Sequence, residues 1–325
     1  MEYSLSCSNQ THKLMKTFKR RFFSGALNHC YQNTVNGFLL FYNVSDYLVY
    51  FTIFCTCAVK RDVHVLSICQ MPDHTHSGVQ TLDKEQLSLF YQDVTSLYSR
   101  SDAIRCNREG SLFNRPFGSA PKIDRKKAKS TLIYIGNNPV ERKLCETAIA
   151  YRWNYLAYAN SDHPFSEKLV VRKASWPMRK ALRVVKAHHN RNKPLSYKLL
   201  QNLFSSLSRK EGLQLIDYIV TTYSVIDYNY TAKLFGGLDN MIVAMASTTG
   251  SDYDIAEVFT GKSDECYERI TRWLFSMLNI EDIHEIFSYS LSARTALVNE
   301  AIRILKVNPQ QAGKYFRIPI IDNQP

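Results

Sequence analysis

The 325-residue sequence lacks paired-cysteine motifs, long apolar runs and low-complexity tracts. Its eight cysteines include no Cys-x-x-Cys pair and are scattered through apolar segments, which is typical of reduced, buried thiols and not of disulfides or a zinc site. The longest nearly apolar run, Tyr47 to Val59, is shorter than the roughly 20 residues that span a bilayer. Only ten prolines and twelve glycines accompany 45% hydrophobic residues. We therefore expect a globular, cytoplasmic protein without a membrane partner.

Acidic residues are also scarce, and the resulting positive charge indicates which class of partner the protein binds. The chain has 29 acidic and 41 basic residues, and its net charge of +12 favours a polyanion. The length exceeds what one hydrophobic core usually serves. We expect a polar tail at residues 1–18, a first domain at 19–162 and an all-helical domain at 163–325, where amphipathic helical segments replace strand patterns.

Residues 168–193 contain nine lysines and arginines and no acidic residue. A helix with this composition is either a solvated surface or a phosphate-binding one, and we favour phosphate contact because like charges repel when they gather without a partner. The residues predicted to contact DNA here are Arg172, Lys173, Arg179, Lys180, Arg183 and Lys186. Trp153, Tyr155 and Tyr158 either stack exposed bases or seal the core of the first domain.

The first half alternates strand and helix patterns. Strands are predicted at 25–32, 63–71, 74–80 and within 111–120, and helices from Ser45, over 83–98 and after a cap at Asp124. The order β-α-β-β-α-β-α predicts an α+β, ferredoxin-like fold, in which a split βαβ arrangement forms an antiparallel sheet.

Two short patterns in this half carry chemistry. His74 and His76 are one residue apart in a predicted strand, so both rings point to one face and can grip a single metal ion. Tyr134 and Asn138 are four apart in a predicted helix and share a face, as does Lys127. Such a site suits phosphoryl transfer with a tyrosine nucleophile. Each pattern also has a purely structural interpretation.

Several motifs in order resemble the REP-associated tyrosine transposases of the single-tyrosine HUH superfamily. The similarity covers roughly residues 20 to 160 and rests on Met71-Pro72-Asp73-His74-Thr75-His76, Leu112-Phe113-Asn114-Arg115-Pro116-Phe117, Tyr134-Ile135 with Asn138-Pro139-Val140, and Trp153-Asn154-Tyr155. Thr75 departs from the family, which commonly has a bulky hydrophobic residue there. We expect Thr75 to face away from the metal, so the change affects packing more than ligation.

The resemblance implies a ferredoxin-like HUH catalytic domain and a DNA transposition enzyme. Tyr134 would be the nucleophile, and His74, His76 and Asn138 would hold Mg²⁺ or Mn²⁺. The substrate would be single-stranded or hairpin DNA, cut and rejoined through a 5′-phosphotyrosine by a monomer or homodimer. Lys127 would position the DNA backbone.

Other interpretations remain open. A domesticated, inactive relative would bind structured single-stranded nucleic acid without cutting it. A helical interaction protein and a metal-dependent hydrolase are further alternatives, although no convincing carboxylate ligand stands near the histidine motif. Residues 253–272, in which a turn at 260–262 precedes a helix from Ser263, and residues 293–316 each have the cadence of a helix-turn-helix.

Overall fold

The computed structural model describes residues 21–114, 117–246 and 263–319. The first half contains a four-stranded antiparallel sheet with strand order β2-β3-β1-β4. The strands are β1 (Leu27–Asn33), β2 (His64–Gln70), β3 (His74–Gln80) and β4 (Gly118–Lys122). Three helices complete this half, namely α1 (Val44–Lys60), α2 (Lys84–Cys106) and α3 (Arg125–Glu141). The predicted order of elements and the antiparallel sheet are confirmed.

Helix caps explain where these helices begin. Asp83 and Asp124 accept bonds from the first-turn amides of α2 and α3. The prediction that Ser45 caps α1 was wrong. Asn43 is the cap, because its side chain accepts from two amides and Asp46 bonds back to the cap amide, which forms a capping box.

The end of α2 was also predicted wrongly, at Tyr98 instead of Cys106. The additional turns bury Asp102, which Arg108 and Arg317 contact at 2.9 Å and 2.8 Å. A buried carboxylate with two guanidinium partners is compatible with a helix interior. The helix then ends at Asn107, whose φ of 45° is left-handed.

The two faces of the sheet carry different layers. On one face, Thr75 Oγ1 lies 3.1 Å from Tyr50 Oη of α1, so Thr75 points away from its neighbouring histidines as predicted. On the other face, α3 covers β2 and β3, and its Leu132 and Ile135 side chains are buried against the sheet. The sheet therefore separates α1 and α2 from α3.

The second half is largely helical. Its helices are α4 (Trp176–Asn190), α5 (Tyr197–Phe204), α6 (Arg209–Tyr223), α7 (Tyr228–Phe235), α8 (Leu238–Ala246), α9 (Glu265–Met277), α10 (Leu291–Leu305) and α11 (Pro309–Phe316), with a 3₁₀ helix at Ile283–Ser288. Helices α5 and α6 pack on α1, α4 packs on α5 and α6, and α7 and α8 pack on α3. Within the described ranges, every helix is too short or too polar to cross a bilayer.

The hydrophobic core continues across residue 163. Buried side chains of α1, such as Phe51 and Phe54, share one cluster with Leu182 of α4 and Ile219 of α6. A second cluster joins Leu39 and Tyr42, which precede α1, to α9, α10 and α11. The helical half thus contacts the sheet-bearing half at three places, the third being the packing of α7 and α8 on α3.

Candidate active site

Three histidines from adjacent strands form the floor of the candidate site. His29 of β1 and His74 and His76 of β3 are 2%, 4% and 0% exposed. His29 Nε2 lies 3.1 Å from His76 Nδ1. The rings of His74 and His76 are 4.8 Å apart and nearly perpendicular, at 85°. The alternation of β3 therefore brings both rings to one face, as predicted.

Helix α3 adds an amide and a phenol to the same place. Asn138 Nδ2 lies 3.3 Å from His76 Nε2. The Tyr134 ring stands edge-on to His76 and His29, with ring centroids 5.4 Å and 5.5 Å away. His74, His76, Tyr134 and Asn138 thus lie together, although β3 and α3 are far apart in sequence.

The second ring nitrogen of each β3 histidine has a partner that orients it. Asp73 Oδ1 lies 2.5 Å from His74 Nδ1, and His29 plays the corresponding part for His76. Metal-binding histidines commonly use one nitrogen in this way, which sets the tautomer and presents the other nitrogen to the ion. The tautomers themselves follow from this network.

The donor set fits a divalent cation. Asn138 Oδ1 is buried and has no hydrogen-bond partner among the described residues. Rotation of the amide exchanges its oxygen and nitrogen, and either orientation keeps it beside His76 Nε2. The described part of the chain contains no group of three histidine, cysteine, aspartate or glutamate side chains that could hold a metal. The candidate donors are therefore the imidazoles and the Asn138 oxygen.

Charged residues that the sequence analysis did not assign to the site surround Asp73. Burial alone would raise the pKa of Asp73, but the charges of His74, Lys314 and Arg142 bring it well below its usual range. Lys314 Nζ of α11 lies 3.0 Å from Asp73 Oδ2. Asp73 is thus a carboxylate in direct contact with the histidine motif, where it bonds to His74 and Lys314.

Asp264, the residue immediately before α9, is a second buried acid in this region. Burial and, second, the charge of Asp73 raise the pKa of Asp264. The charges of Arg142, His74 and Lys314 oppose this increase, and the net pKa is about 6. Gln311 of α11 donates to the backbone oxygen of Ser263 at 2.9 Å. Gln311 and Lys314 share a face of α11, so this helix holds Asp264 close to Asp73. No sequence signal links residues so far apart.

The site is enclosed. Tyr134 is 4% exposed and packs with Cys69, Met71 and Ile135. Lys127, by contrast, is exposed at the start of α3, where its Nζ lies 4.0 Å from the carboxylate of Asp124. Lys127 therefore lies at the surface while Tyr134 lies inside.

The other predicted DNA contacts lie elsewhere. The six predicted cations are exposed, and all except Arg172 and Lys173, which immediately precede α4, belong to that helix. Helix α4 packs on α6, which packs on α1, so the sheet separates these cations from Tyr134. Trp153, Tyr155 and Tyr158 are buried, and Tyr155 stacks on Phe51 with ring centroids 4.0 Å apart. These aromatic residues therefore seal the core.

Two helix-turn-helix predictions have different outcomes. Residues 253–262 lie outside the described residues. Residues 293–316 form most of α10 and then α11, which pack against each other. Buried Tyr315 and Phe316 face the core at the end of α11. The pair of helices α10 and α11 is therefore part of the core.

Comparison with known proteins gives one distant structural similarity. No protein-family model matches the chain, and no curated protein sequence matches it. A solved structure of a REP-associated tyrosine transposase bound to a REP hairpin is similar with a TM-score of 0.40 and 13% sequence identity. The match covers 45% of this chain and 86% of that chain. The chain thus has a distant structural resemblance to a member of that enzyme family.

Proposed function

We propose that the chain is a metal-dependent single-stranded DNA transesterase of the HUH single-tyrosine type, with a ferredoxin-like catalytic domain at residues 19–162. The observation that carries the proposal is the convergence of His74, His76, Tyr134 and Asn138 on one face of the sheet. The two histidines and the tyrosine are roughly 60 residues apart in sequence. Their order and their proximity are both what a tyrosine transesterase requires.

The proposed reaction keeps the number of phosphoester bonds constant. Tyr134 Oη attacks the phosphorus, the bond to the 3′ oxygen breaks, and a 5′-phosphotyrosine and a free 3′-hydroxyl result. A 3′-hydroxyl from another strand reverses the step, so rejoining needs no nucleotide cofactor. Mg²⁺ or Mn²⁺ held by His74, His76 and Asn138 would polarise the phosphate as a Lewis acid.

The surrounding residues support that role. Asp73 and His29 orient the two imidazoles, and Lys314 balances the charge of Asp73. Lys127 and the cations of α4 would contact the DNA backbone. The motif resemblance further suggests hairpin-containing sites, DNA transposition as the process, and a monomer or homodimer as the active unit.

A second candidate is favoured by the burial of the site. With Tyr134 at 4% and His76 at 0% exposure, a phosphate cannot reach the phenol without local opening. The alternative is a domesticated relative that binds structured single-stranded nucleic acid and does not cut it. Both candidates use the same basic surfaces.

Trapping a covalent adduct separates the two. The protein is incubated with labelled hairpin oligonucleotides and Mn²⁺, and adducts are counted on a denaturing gel. We expect an adduct with the natural chain, none with Tyr134→Phe, and an undiminished one with Tyr230→Phe, which changes an exposed tyrosine of α7. Binding without any adduct would favour the second candidate. Adduct formation by Tyr134→Phe would refute the tyrosine mechanism.

A further inference from the structure

Three exposed apolar side chains lie at and just before the start of α4. Val170, Val171 and Trp176 are 39%, 53% and 61% exposed, and we call them the Trp176 patch. Single exposed apolar residues are ordinary, but three within seven residues form a contiguous feature that commonly marks a binding surface. Trp176 is also held in place, because Ser175 caps the helix at the preceding position.

Cations border the Trp176 patch. Arg172 and Lys173 precede the indole, Arg179 and Lys180 follow it, and Lys180 Nζ lies 5.3 Å from the ring centroid. In the described part of the chain none of these four cations forms an ion pair. The nearby carboxylate of Glu211 instead accepts from the backbone amide of Ser175 at 2.9 Å. Within the described ranges, the side chains of these four cations are therefore not engaged in ion pairs.

The opposite side of α4 is already occupied. Met178, Ala181, Leu182 and Val185 are buried in the core shared with α6. The helix thus cannot turn an apolar face toward a bilayer, as an interfacial membrane helix does. Helix α4 presents to solvent one flat aromatic ring among cations. This surface is complementary to a single strand of nucleic acid, which has a phosphate backbone and unstacked bases.

We propose that Trp176, with Arg172, Lys173, Arg179 and Lys180, binds an unpaired segment of nucleic acid. The indole stacks on one base, and the cations contact the flanking phosphates. This inference rests on the proposed function for the nature of the ligand. It adds a second contact site, on the other side of the sheet from Tyr134, which requires neither the metal nor the tyrosine.

The test measures binding of fluorescently labelled oligothymidylate by anisotropy, with EDTA present so that no metal contributes. Trp176→Ala is expected to weaken binding roughly 10-fold, within the range of about 1–3 kcal/mol for one stacked base. Trp176→Phe, which keeps an aromatic face, is expected to retain most of the affinity. The control is Phe275→Ala on α9, which removes an exposed ring, 45% accessible, from another surface.

Salt dependence tests the cations separately. Arg179→Gln and Lys180→Gln are each expected to reduce the slope of log K against log salt by about 0.7, the value for one phosphate contact on a single strand. A Trp176→Ala variant should leave that slope unchanged, because stacking releases no counterions. Unchanged slopes in both cation variants would contradict the proposed phosphate contacts.

Several outcomes overturn the inference. Equal affinity in Trp176→Ala and the natural chain would do so, as would an equal loss in Phe275→Ala. Binding to phosphatidylserine vesicles that depends on Trp176, without binding to oligothymidylate, would assign the patch to membranes instead. Failure of the Trp176 inference is distinct from failure of the proposed function. Adduct formation through Tyr134 can persist when Trp176 does not contribute to binding. Trp176-dependent binding can persist when no adduct forms.

Discussion

Each histidine of β3 uses one ring nitrogen to keep its position and leaves the other facing the site. Asp73 contacts His74, and His29 contacts His76, so neither imidazole depends on a metal for its orientation. Such preorganisation lowers the ordering cost of binding an ion. The buried Asn138 oxygen is the remaining donor of the proposed set.

Asp264 provides a pH-dependent prediction at the residue scale. Its folded pKa, about 6, exceeds the ordinary aspartate value because burial, and then Asp73, raise it. The stability contributed by its protonated form is therefore complete below about pH 4 and lost as the pH rises through about 6. Asp264→Asn should be more stable than the natural chain at pH 8 by about 3 kcal/mol.

Urea denaturation at pH 4 and pH 8, in metal-free buffer, measures this difference. The matched control is Asp162→Asn, which changes an exposed aspartate in a loop and should leave the stability unchanged at both pH values. A stabilisation by Asp264→Asn of the same size at both pH values would contradict the assignment.

At the scale of elements, the approach of α3 to the sheet depends on a glycine in β3. Gly78 is two residues after His76 and faces the same side of the sheet. A methyl group there would lie 2.8 Å from Ser67 Oγ, 3.1 Å from Leu27 Cδ1 and 3.4 Å from Leu132 Cδ2 of α3. A methyl group at Gly78 would therefore crowd Ser67 of β2 and Leu27 of β1, on the sheet surface that α3 covers.

We expect Gly78→Ala to lower the free energy of unfolding by about 1–3 kcal/mol, because the added methyl group overpacks the side chains of Ser67 and Leu27 on the neighbouring strands. The control is Gly212→Ala in α6, where the nearest atom to an added methyl group is 3.8 Å away. That change should stabilise the chain by about 0.5–1 kcal/mol through helix propensity. Urea denaturation compares the two, and equal stabilisation would contradict a close fit at Gly78.

At the scale of the whole molecule, ion pairs attach the C-terminal helices to the sheet-bearing half. Arg317 contacts Asp102 at 2.8 Å, and Lys314 contacts Asp73 at 3.0 Å. His284, in the 3₁₀ helix before α10, contacts Asp46 of α1 at 3.2 Å. These partners are buried or partly buried, so removal of one partner leaves a costly charge behind.

His284 should make the stability of this junction depend on pH. Burial lowers the pKa of His284, but Asp46 and Asp282 outweigh it and raise the pKa above the ordinary value. Burial raises the pKa of Asp46, but His284 and Arg105 bring it below the ordinary value. The histidine contribution is complete below about pH 6.5 and lost as the pH rises through the raised pKa, and the aspartate contribution is lost as the pH falls below about 4.

The cluster should therefore stabilise the fold most between about pH 4 and pH 6.5. His284→Gln is expected to cost about 3–5 kcal/mol at pH 6, the usual effect of breaking a buried pair, and less at pH 9. Thermal or urea unfolding across this pH range measures the loss, with His163→Gln in a loop as the control. A loss that does not vary with pH would argue against a charged His284.

Local patterns in the chain were sufficient for much of the first half. Alternation placed His74 and His76 in one strand, and helical spacing placed Tyr134 and Asn138 on one face, because both periods depend on backbone geometry alone. Asp124 was recognisable as a cap for the same reason. The end of α2 was not, because the partner that makes Asp102 acceptable within a helix, Arg317, is 215 residues away.

The order and type of the elements, and the shared faces of His74 with His76 and of Tyr134 with Asn138, follow from periodicities that act over a few residues. The enclosure of Tyr134, the contact of Lys314 with Asp73, and the separation of α4 from the candidate site by the sheet arise only when distant segments pack together. Such contacts leave no periodic trace in the sequence, because burial and ion pairing join side chains across any separation along the chain.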